Sequence, residues 1–204
     1  MKKTLLFGFL FLAAISVNAQ VTFKPGLRTG ANFSKITNTD LDYKADFYVS
    51  AFGALKLSKF YTMQPEIGYS RQGAEGTVHY NESGTVYSQD VDLSLNYVTF
   101  SLINKFTLTD IINVHVGPTF DIGTGTKDYL EDDVDVGITA GIGVTFPFGL
   151  GIEARVKKGF VDITDDFYYA DNSYDYYDYN ENINSNLVFQ VGLTYSFDVT
   201  GSSK

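Results

Sequence analysis

The stretch from Leu187 to Phe197 constrains the fold of this chain more than any other. It reads L-V-F-Q-V-G-L-T-Y-S-F, so apolar residues alternate with polar or small ones, and Val188 is the one apolar exception. A period of two places the two sets of side chains on opposite faces of a β-strand. The stretch therefore predicts a long strand with one apolar and one polar face, followed by a short polar tail.

The same stretch resembles the closing strand of an outer-membrane β-barrel. Gln190, Gly192, Tyr195 and Phe197 match the C-terminal signal that the barrel-insertion machinery reads. The resemblance implies that the barrel-assembly machinery is a partner during insertion, and that a bilayer surrounds the folded protein.

The N-terminus predicts a cleaved signal peptide over residues 1–19. A basic start at Met1-Lys2-Lys3 precedes an apolar run from Thr4 to Val17, and Val17-Asn18-Ala19 supplies the small residues of a cleavage site. A membrane-anchoring helix is the alternative, but the run is shorter than the roughly 20 residues that such a helix needs. We expect cleavage before Gln20 and one β-barrel domain over residues 20–204.

Composition excludes several functional classes. The chain contains 0 Cys, so it has neither a disulfide framework nor a thiolate metal site. Its formal net charge is −9 and the sequence has no basic patch, which argues against a nucleic-acid partner. Tyr and Phe supply all of the aromatic residues, 16% of the chain, which favours a β-protein with rings at membrane interfaces.

Seven further segments show strand-like alternation, which brings the predicted number of strands to eight. Bacterial single-chain barrels have an even number of strands. The fourth segment changes phase close to Tyr97, which predicts a β-bulge there or an upper part that leaves the membrane. The seven segments cover approximately residues 22–34, 45–57, 61–73, 91–108, 112–122, 134–146 and 150–160.

The connections between the predicted strands alternate in length. Short turns at one end and long loops at the other are typical of outer-membrane barrels, with the short end periplasmic. The prediction is an all-β, eight-stranded antiparallel up-and-down transmembrane β-barrel in the cell outer membrane. The long loops carry most of the acidic residues, and the last loop is also rich in Tyr. The short turns are 58–60, 109–110 and 147–149, and the long loops are 36–44, 74–90, 124–133 and 162–185.

A soluble, lipocalin-like barrel is the alternative use of eight alternating strands. In water, the uniformly aliphatic and aromatic face would form a continuous exposed belt, a feature of membrane or partner surfaces. In a bilayer, that face contacts lipid and closure of the barrel pairs every backbone group. We therefore expect apolar side chains to point outward and polar side chains to point inward.

Six sequence blocks are spread along nearly the whole mature chain and occur in a characteristic order. They are GLRTGANFS at 26–34, QPEIGYSRQGA at 64–74, NYVTFSLINKF at 96–106, VGP at 116–118, GIEARVKKGF at 151–160 and the terminal GLTYSF. On these blocks the chain resembles the PorT family of small outer-membrane β-barrel proteins. The resemblance implies the fold and the compartment, and some similar proteins take part in secretion across the outer membrane. Phe100-Ser101 departs from the family, which tends to have Ile-Pro there.

Charged residues on the inward parity are the candidates for a polar network in the lumen. Buried charges must find partners, and an eight-stranded barrel is just wide enough for its own side chains to fill. This geometry favours a salt-bridged plug over a polar channel or relay. We also expect strand pairing to bring Glu66 close to Lys105. The candidates are Arg28, Lys56, Glu66, Lys105, Asp121, Glu153 and Arg155.

Three further features concern chemistry outside this network. His115 is the only plausible general base, but no serine can be placed beside it, which favours a hydrogen-bonded lumen residue. The acidic segment 162–181 lacks the spacing of a calcium loop and is interpreted as a recognition surface, so no metal or cofactor is predicted. Arg71 and Lys158 lie on the outward parity, where we expect them to contact lipid phosphates or to snorkel.

The predicted function is that of a monomeric, non-catalytic scaffold that presents acidic, Tyr-rich loops outside the cell. The expected partners are outer-membrane lipids and lipopolysaccharide, the barrel-assembly machinery, and an extracellular or envelope protein. An accessory role in an outer-membrane secretion or transport machine is the first alternative. A lipid-modifying barrel enzyme is the second.

Overall fold

The chain forms a closed barrel of eight antiparallel strands in a computed structural model that describes residues 21–82, 85–124, 134–162 and 183–198. Each strand pairs with its neighbours in sequence, and the first and last strands pair with each other from Gly26–Ser196 to Ile36–Asn186. The predicted fold class is therefore confirmed. The predicted signal peptide, residues 1–19, lies outside the described residues. The strands are β1 (Thr22–Ile36), β2 (Asp42–Lys56), β3 (Tyr61–Glu82), β4 (Thr85–Thr107), β5 (Ile112–Gly123), β6 (Val134–Thr145), β7 (Leu150–Gly159) and β8 (Asn186–Ser196).

The strands place apolar side chains outside the barrel and polar side chains inside it. On β6, Ile138 is 45% exposed, whereas its neighbour Thr139 is 2% exposed. The same alternation on the other strands produces a continuous outer belt of aliphatic and aromatic residues. A soluble barrel would have the opposite orientation, with its apolar face inward.

Three short turns close one end of the barrel, which we call the periplasmic end. Leu57 donates a backbone hydrogen bond to Tyr61 (3.0 Å), and Leu108 donates to Ile112 (2.9 Å). The third turn contains Gly149 with φ of 92°, a left-handed conformation that glycine adopts without strain. These turns agree with the predicted short connections.

The predicted second long loop, residues 74–90, is wrong: most of it is paired strand. β3 and β4 continue their ladder without interruption from Tyr61–Phe106 to Glu82–Thr85, which makes a long hairpin above the barrel. At residues 85–90 of β4 the side chains on both faces are exposed, so this part of the hairpin has no buried face. Such a strand does not alternate apolar and polar residues, and this alternation is the pattern by which a strand is predicted from sequence.

Of the two alternatives predicted for the phase change near Tyr97, the β-bulge is wrong, because β4 keeps its register with β3 through this position. The other alternative, an upper part that leaves the membrane, stays a prediction and agrees with the long hairpin of β3 and β4. The phase change arises because the interior itself becomes apolar at the mouth of the barrel. There Leu95 and Tyr97 point inward and pack in a buried group that we call the mouth cluster. The one register shift between β2 and β3 lies instead between Tyr43 and Tyr48 of β2. The mouth cluster consists of Ile36, Leu41, Ala74, Leu95 and Tyr97.

Among the described residues, no helix is long and apolar enough to cross a membrane.

Candidate functional site

The lumen contains a buried carboxylate, Glu153 of β7, that three cations share. Arg28 of β1 contacts Glu153 Oε1 through Nε, and Arg155 Nη2 lies 2.8 Å from the same oxygen. Lys105 Nζ, which reaches over from β4, lies 3.4 Å from Glu153 Oε2. The Glu153 side chain is only 3% exposed, so these contacts form in a low-dielectric environment where ion pairs are strong. Glu153 is therefore the centre of the charge network.

A second carboxylate, Glu66, joins this network from the opposite wall of the barrel. Arg155 donates two hydrogen bonds to Glu66, Nη1 to Oε2 at 2.9 Å and Nη2 to Oε1 at 2.8 Å. β3 and β7 lie four strands apart in the ring of eight, so this forked ion pair spans the lumen. Gln64 also donates to Glu66 Oε1 (2.7 Å). We call Arg28, Glu66, Lys105, Glu153 and Arg155 the Glu153 cluster.

Two details of the predicted network are wrong. Glu66 and Lys105 do not pair with each other: Glu66 lies opposite Ser101 in the ladder and binds Arg155, whereas Lys105 binds Glu153. Lys56 is exposed at the periplasmic rim and takes no part in the cluster. Lys56 has the inward parity, but it is the last residue of β2 and lies beyond the last buried layer of the lumen. Water therefore solvates it.

A second group of charges lies nearer the mouth, and we call it the Asp121 cluster. Lys157 Nζ binds Asp121 Oδ2, and Gln72 donates to the same oxygen (3.2 Å). Asp135 is the direct cross-strand neighbour of Asp121 and accepts a hydrogen bond from the Val161 backbone (3.3 Å). Asp121 is the one predicted candidate among these charges, although the same parity rule also places Asp135 and Lys157 inward.

The two clusters balance each other in charge. The Glu153 cluster has three cations and two carboxylates, and the Asp121 cluster has one cation and two carboxylates. The excess of one positive charge in the first equals the excess of one negative charge in the second. Such compensation offsets the desolvation cost of burying ions, which is large for an unpaired charge.

Little free space remains between the two clusters. The cavity there has a volume of about 20 Å³, which is room for about one water molecule. Arg28 stacks over the ring of Tyr48 at 4.1 Å, and this ring fills the lumen between the ion pairs and the β1–β8 wall. The interior is thus packed with side chains, as the width of an eight-stranded barrel requires.

His115 is buried beside the Glu153 cluster rather than in a catalytic arrangement. Its Nδ1 lies 3.2 Å from Asn113 Oδ1, and its Nε2 has no hydrogen-bond partner among the described residues. Gly141, opposite it on β6, leaves room for the imidazole ring. Within the described part of the chain, no set of three His, Cys, Asp or Glu side chains is placed to hold a metal ion.

The residues of the predicted insertion signal lie on the closing strand with two different orientations. Gln190 points inward and binds two side chains of the neighbouring strand β1, because it accepts from Arg28 (2.8 Å) and donates to Asn32 (2.8 Å). Tyr195 and Phe197 point outward with their rings edge to face at 5.1 Å. Phe197 also donates its backbone N–H to the Pro25 carbonyl (2.7 Å), which adds one hydrogen bond to the pairing of β1 with β8. Recognition by the insertion machinery stays a prediction.

Comparison with known proteins bears on the fold and the compartment. The family model described as "Outer membrane protein beta-barrel domain" matches residues 18–165. Neisserial surface protein A is 11% identical, with a TM-score of 0.51, over 88% of this chain and 100% of that one. The attachment invasion locus protein Ail of Yersinia pestis is 10% identical, with a TM-score of 0.46, over 86% and 97%. Outer membrane protein H of P. aeruginosa is 14% identical, with a TM-score of 0.37, over 84% and 99%. No curated protein matches the chain in sequence.

Proposed function

We propose that this chain, which belongs to the outer membrane protein beta-barrel domain family, is a non-catalytic scaffold. The scaffold presents acidic loops at the cell surface. Membership of this family indicates the outer membrane. Passage across the inner membrane by means of a signal peptide stays a prediction, as does the specific resemblance to PorT proteins.

The observation that carries the proposal is the forked ion pair between Arg155 and Glu66 across the lumen. A lumen that is crossed by an ion pair, and whose charges neutralise one another, leaves little room for a solute between the described residues. The parts left to act on other molecules are those outside the membrane. The proposed activity is therefore recognition by loops held on a closed wall.

The connection between β7 and β8 is the segment best suited to such recognition. Residues 162–185 contain seven Asp or Glu, six Tyr and neither Lys nor Arg. Acidic side chains attract a basic surface over a distance, and Tyr rings supply large contact areas at a low cost in side-chain entropy. The proposed partner is thus a protein with a basic surface, on another cell or in the envelope. Residues 163–182 lie outside the described residues.

Deletion of Thr164–Asn184 is expected to abolish binding to a basic partner while the barrel still folds. A fluorescent oligolysine peptide is a suitable probe, titrated against the protein in detergent micelles at low and at moderate salt. We expect at least tenfold weaker binding for the deletion variant, and a loss of wild-type binding at higher salt, because screening weakens exposed charge pairs. A variant with the same loop residues in shuffled order is the control for charge alone.

Unchanged peptide binding by the deletion variant would contradict the proposal. Unboiled gel mobility, compared with that of a boiled sample, reports whether each variant retains the folded barrel. A shuffled loop that binds as the wild type does would assign recognition to charge. A shuffled loop that fails to bind would assign it to the order of the Tyr and Asp residues.

An accessory role in a secretion or transport machine is the alternative that the PorT resemblance favours. Co-purification of the chain with a large envelope complex would support it. The lipid-modifying enzyme receives no support from the surroundings of His115, whose described contact is to Asn113.

A further inference from the structure

Two lysines lie side by side on the outer surface of the barrel near its mouth. Lys35 of β1 and Lys158 of β7 are both ladder partners of Leu187 on β8, so the three residues form one row across neighbouring strands. Two strand spacings of about 4.8 Å place the two lysine backbones roughly 10 Å apart. Both side chains are on the outward parity of their strands, as Phe33 and Val156 are.

The row lies at the height expected of lipid headgroups. Lys158 is eight residues above Leu150, where β7 begins at the periplasmic end. Eight steps of about 3.3 Å on a strand tilted by about 40° raise it roughly 20 Å, close to the upper limit of an apolar band about 25 Å tall. Directly below the row, Phe189 pairs with both Phe33 and Val156, and all three are exposed. Acyl chains would contact these side chains.

Neither ammonium group is neutralised by a described carboxylate. Lys158 Nζ donates to Ser185 Oγ (2.7 Å) and to Thr37 Oγ1 (3.0 Å), both uncharged oxygens that fix its position. Lys35 Nζ lies over the ring of Tyr43 at 5.2 Å. Arg71, the other outward cation at this end in the described part of the chain, differs because Asp46 Oδ2 lies 3.4 Å from its Nε. Asp135 attracts the Lys158 ammonium group from a distance, but among the described residues neither lysine has a carboxylate within ion-pair distance.

We propose that Lys35 and Lys158 form a binding site for an outer-leaflet glycolipid that carries two phosphate groups. A cation at headgroup depth is stabilised by phosphate oxygens, and its apolar stem remains in contact with the acyl region. With the lysine backbones roughly 10 Å apart, a headgroup with two phosphates offers each ammonium group its own anion, whereas a phospholipid offers one phosphate for both. The site goes beyond the proposed loop function and does not depend on it.

The test compares lipid binding by the folded protein in detergent micelles, measured by native mass spectrometry. The probes are lipid A with two phosphates, the same lipid A after enzymatic dephosphorylation, and phosphatidylglycerol. Each lysine near a charged lipid surface contributes about fivefold in affinity, so Lys35→Gln/Lys158→Gln is expected to bind bisphosphorylated lipid A roughly thirtyfold more weakly. Lys56→Gln/Lys59→Gln removes the same charge at the periplasmic end and is expected to bind as the wild type does.

Equal binding of lipid A by the wild type and the Lys35→Gln/Lys158→Gln variant would overturn the proposal. Wild-type binding of dephosphorylated lipid A or of phosphatidylglycerol with the same affinity would also overturn it, because the site would then not select two phosphates. Lys35→Gln alone covers the case in which the double variant does not fold, since the described contact of Lys35 is with the Tyr43 ring. It is expected to weaken binding about fivefold, and no change would count against the site.

Discussion

Replacement of Glu153 by Gln is expected to destabilise the folded barrel by about 3–5 kcal/mol, the usual effect of breaking a buried ion pair from one side. The substitution keeps the shape of the side chain but removes the charge that Arg28, Arg155 and Lys105 share. Glu66 would then be the sole carboxylate for three buried cations. The free energy of unfolding is measured by urea titration of the protein in lipid vesicles, with gel mobility reporting the folded fraction.

Asp198→Asn is the matched control, because it makes the same chemical change in an exposed ion pair with Lys24. Exposed pairs contribute little, so we expect its free energy of unfolding to stay within about 1 kcal/mol of the wild type. Arg28→Met in the Glu153→Gln background is expected to recover part of the loss, because it removes one of the cations left unpaired. Equal unfolding of Glu153→Gln and the wild type would show that the cluster is not what holds the lumen together.

Replacement of Gly192 by Ala is expected to cost about 1–3 kcal/mol and to slow closure of the barrel, because the site has no room for a methyl group. An added Cβ would overlap the hydroxyl of Tyr48 and the backbone oxygen of Thr29, and would lie 3.0 Å from Gly30 Cα. Gly30 and Gly192 face each other across the β1–β8 ladder, the last pairing that the barrel needs to close. The two glycines thus make the space in which the Tyr48 ring lies.

Folding of Gly192→Ala into lipid vesicles without any insertion machinery separates this steric effect from loss of the predicted insertion signal. A Cβ at Gly76 would meet the end of the Leu41 side chain at 3.3 Å, and Leu41 Cα and Asp42 N at the ordinary contact distances of 3.5 and 3.6 Å, so Gly76→Ala is the control with a small expected effect. Tyr48→Ala in the Gly192→Ala background is expected to relieve the contact with the hydroxyl but not the contact with the Thr29 backbone. Unimpaired folding of Gly192→Ala would mean that the wall is looser than the structure describes.

Below the mouth cluster, the alternation in the sequence is sufficient to predict which side chains face the lumen. A strict period of two assigns Arg28, Glu66 and Glu153 to the inward face once the apolar face is given to lipid. It was not sufficient to predict the partner of each charge. The contact between Glu66 and Arg155 joins strands four apart in the ring, and it depends on the stagger of the closed barrel rather than on neighbouring residues.

The predictions fail at the parts of the strands on which the membrane no longer imposes one apolar and one polar face. The hairpin of β3 and β4 rises into water, so its residues 85–90 carry no apolar face that would reveal a strand. At the mouth, Leu95 and Tyr97 point inward because an apolar cluster closes the lumen there. The phase change in the sequence was therefore a change in the contents of the lumen, not an interruption of the strand.

The orientation of the barrel wall is the claim on which the account depends, and spin labels on β6 test it most directly. The chain has 0 Cys, so single Cys substitutions at Ile138 and Thr139 can be labelled without background. Molecular oxygen concentrates in hydrocarbon, and Ile138 is 45% exposed whereas Thr139 is 2% exposed. In a lipid bilayer we expect oxygen to relax the label at Ile138 strongly and the label at Thr139 weakly. Stronger relaxation at Thr139 than at Ile138 would contradict the account.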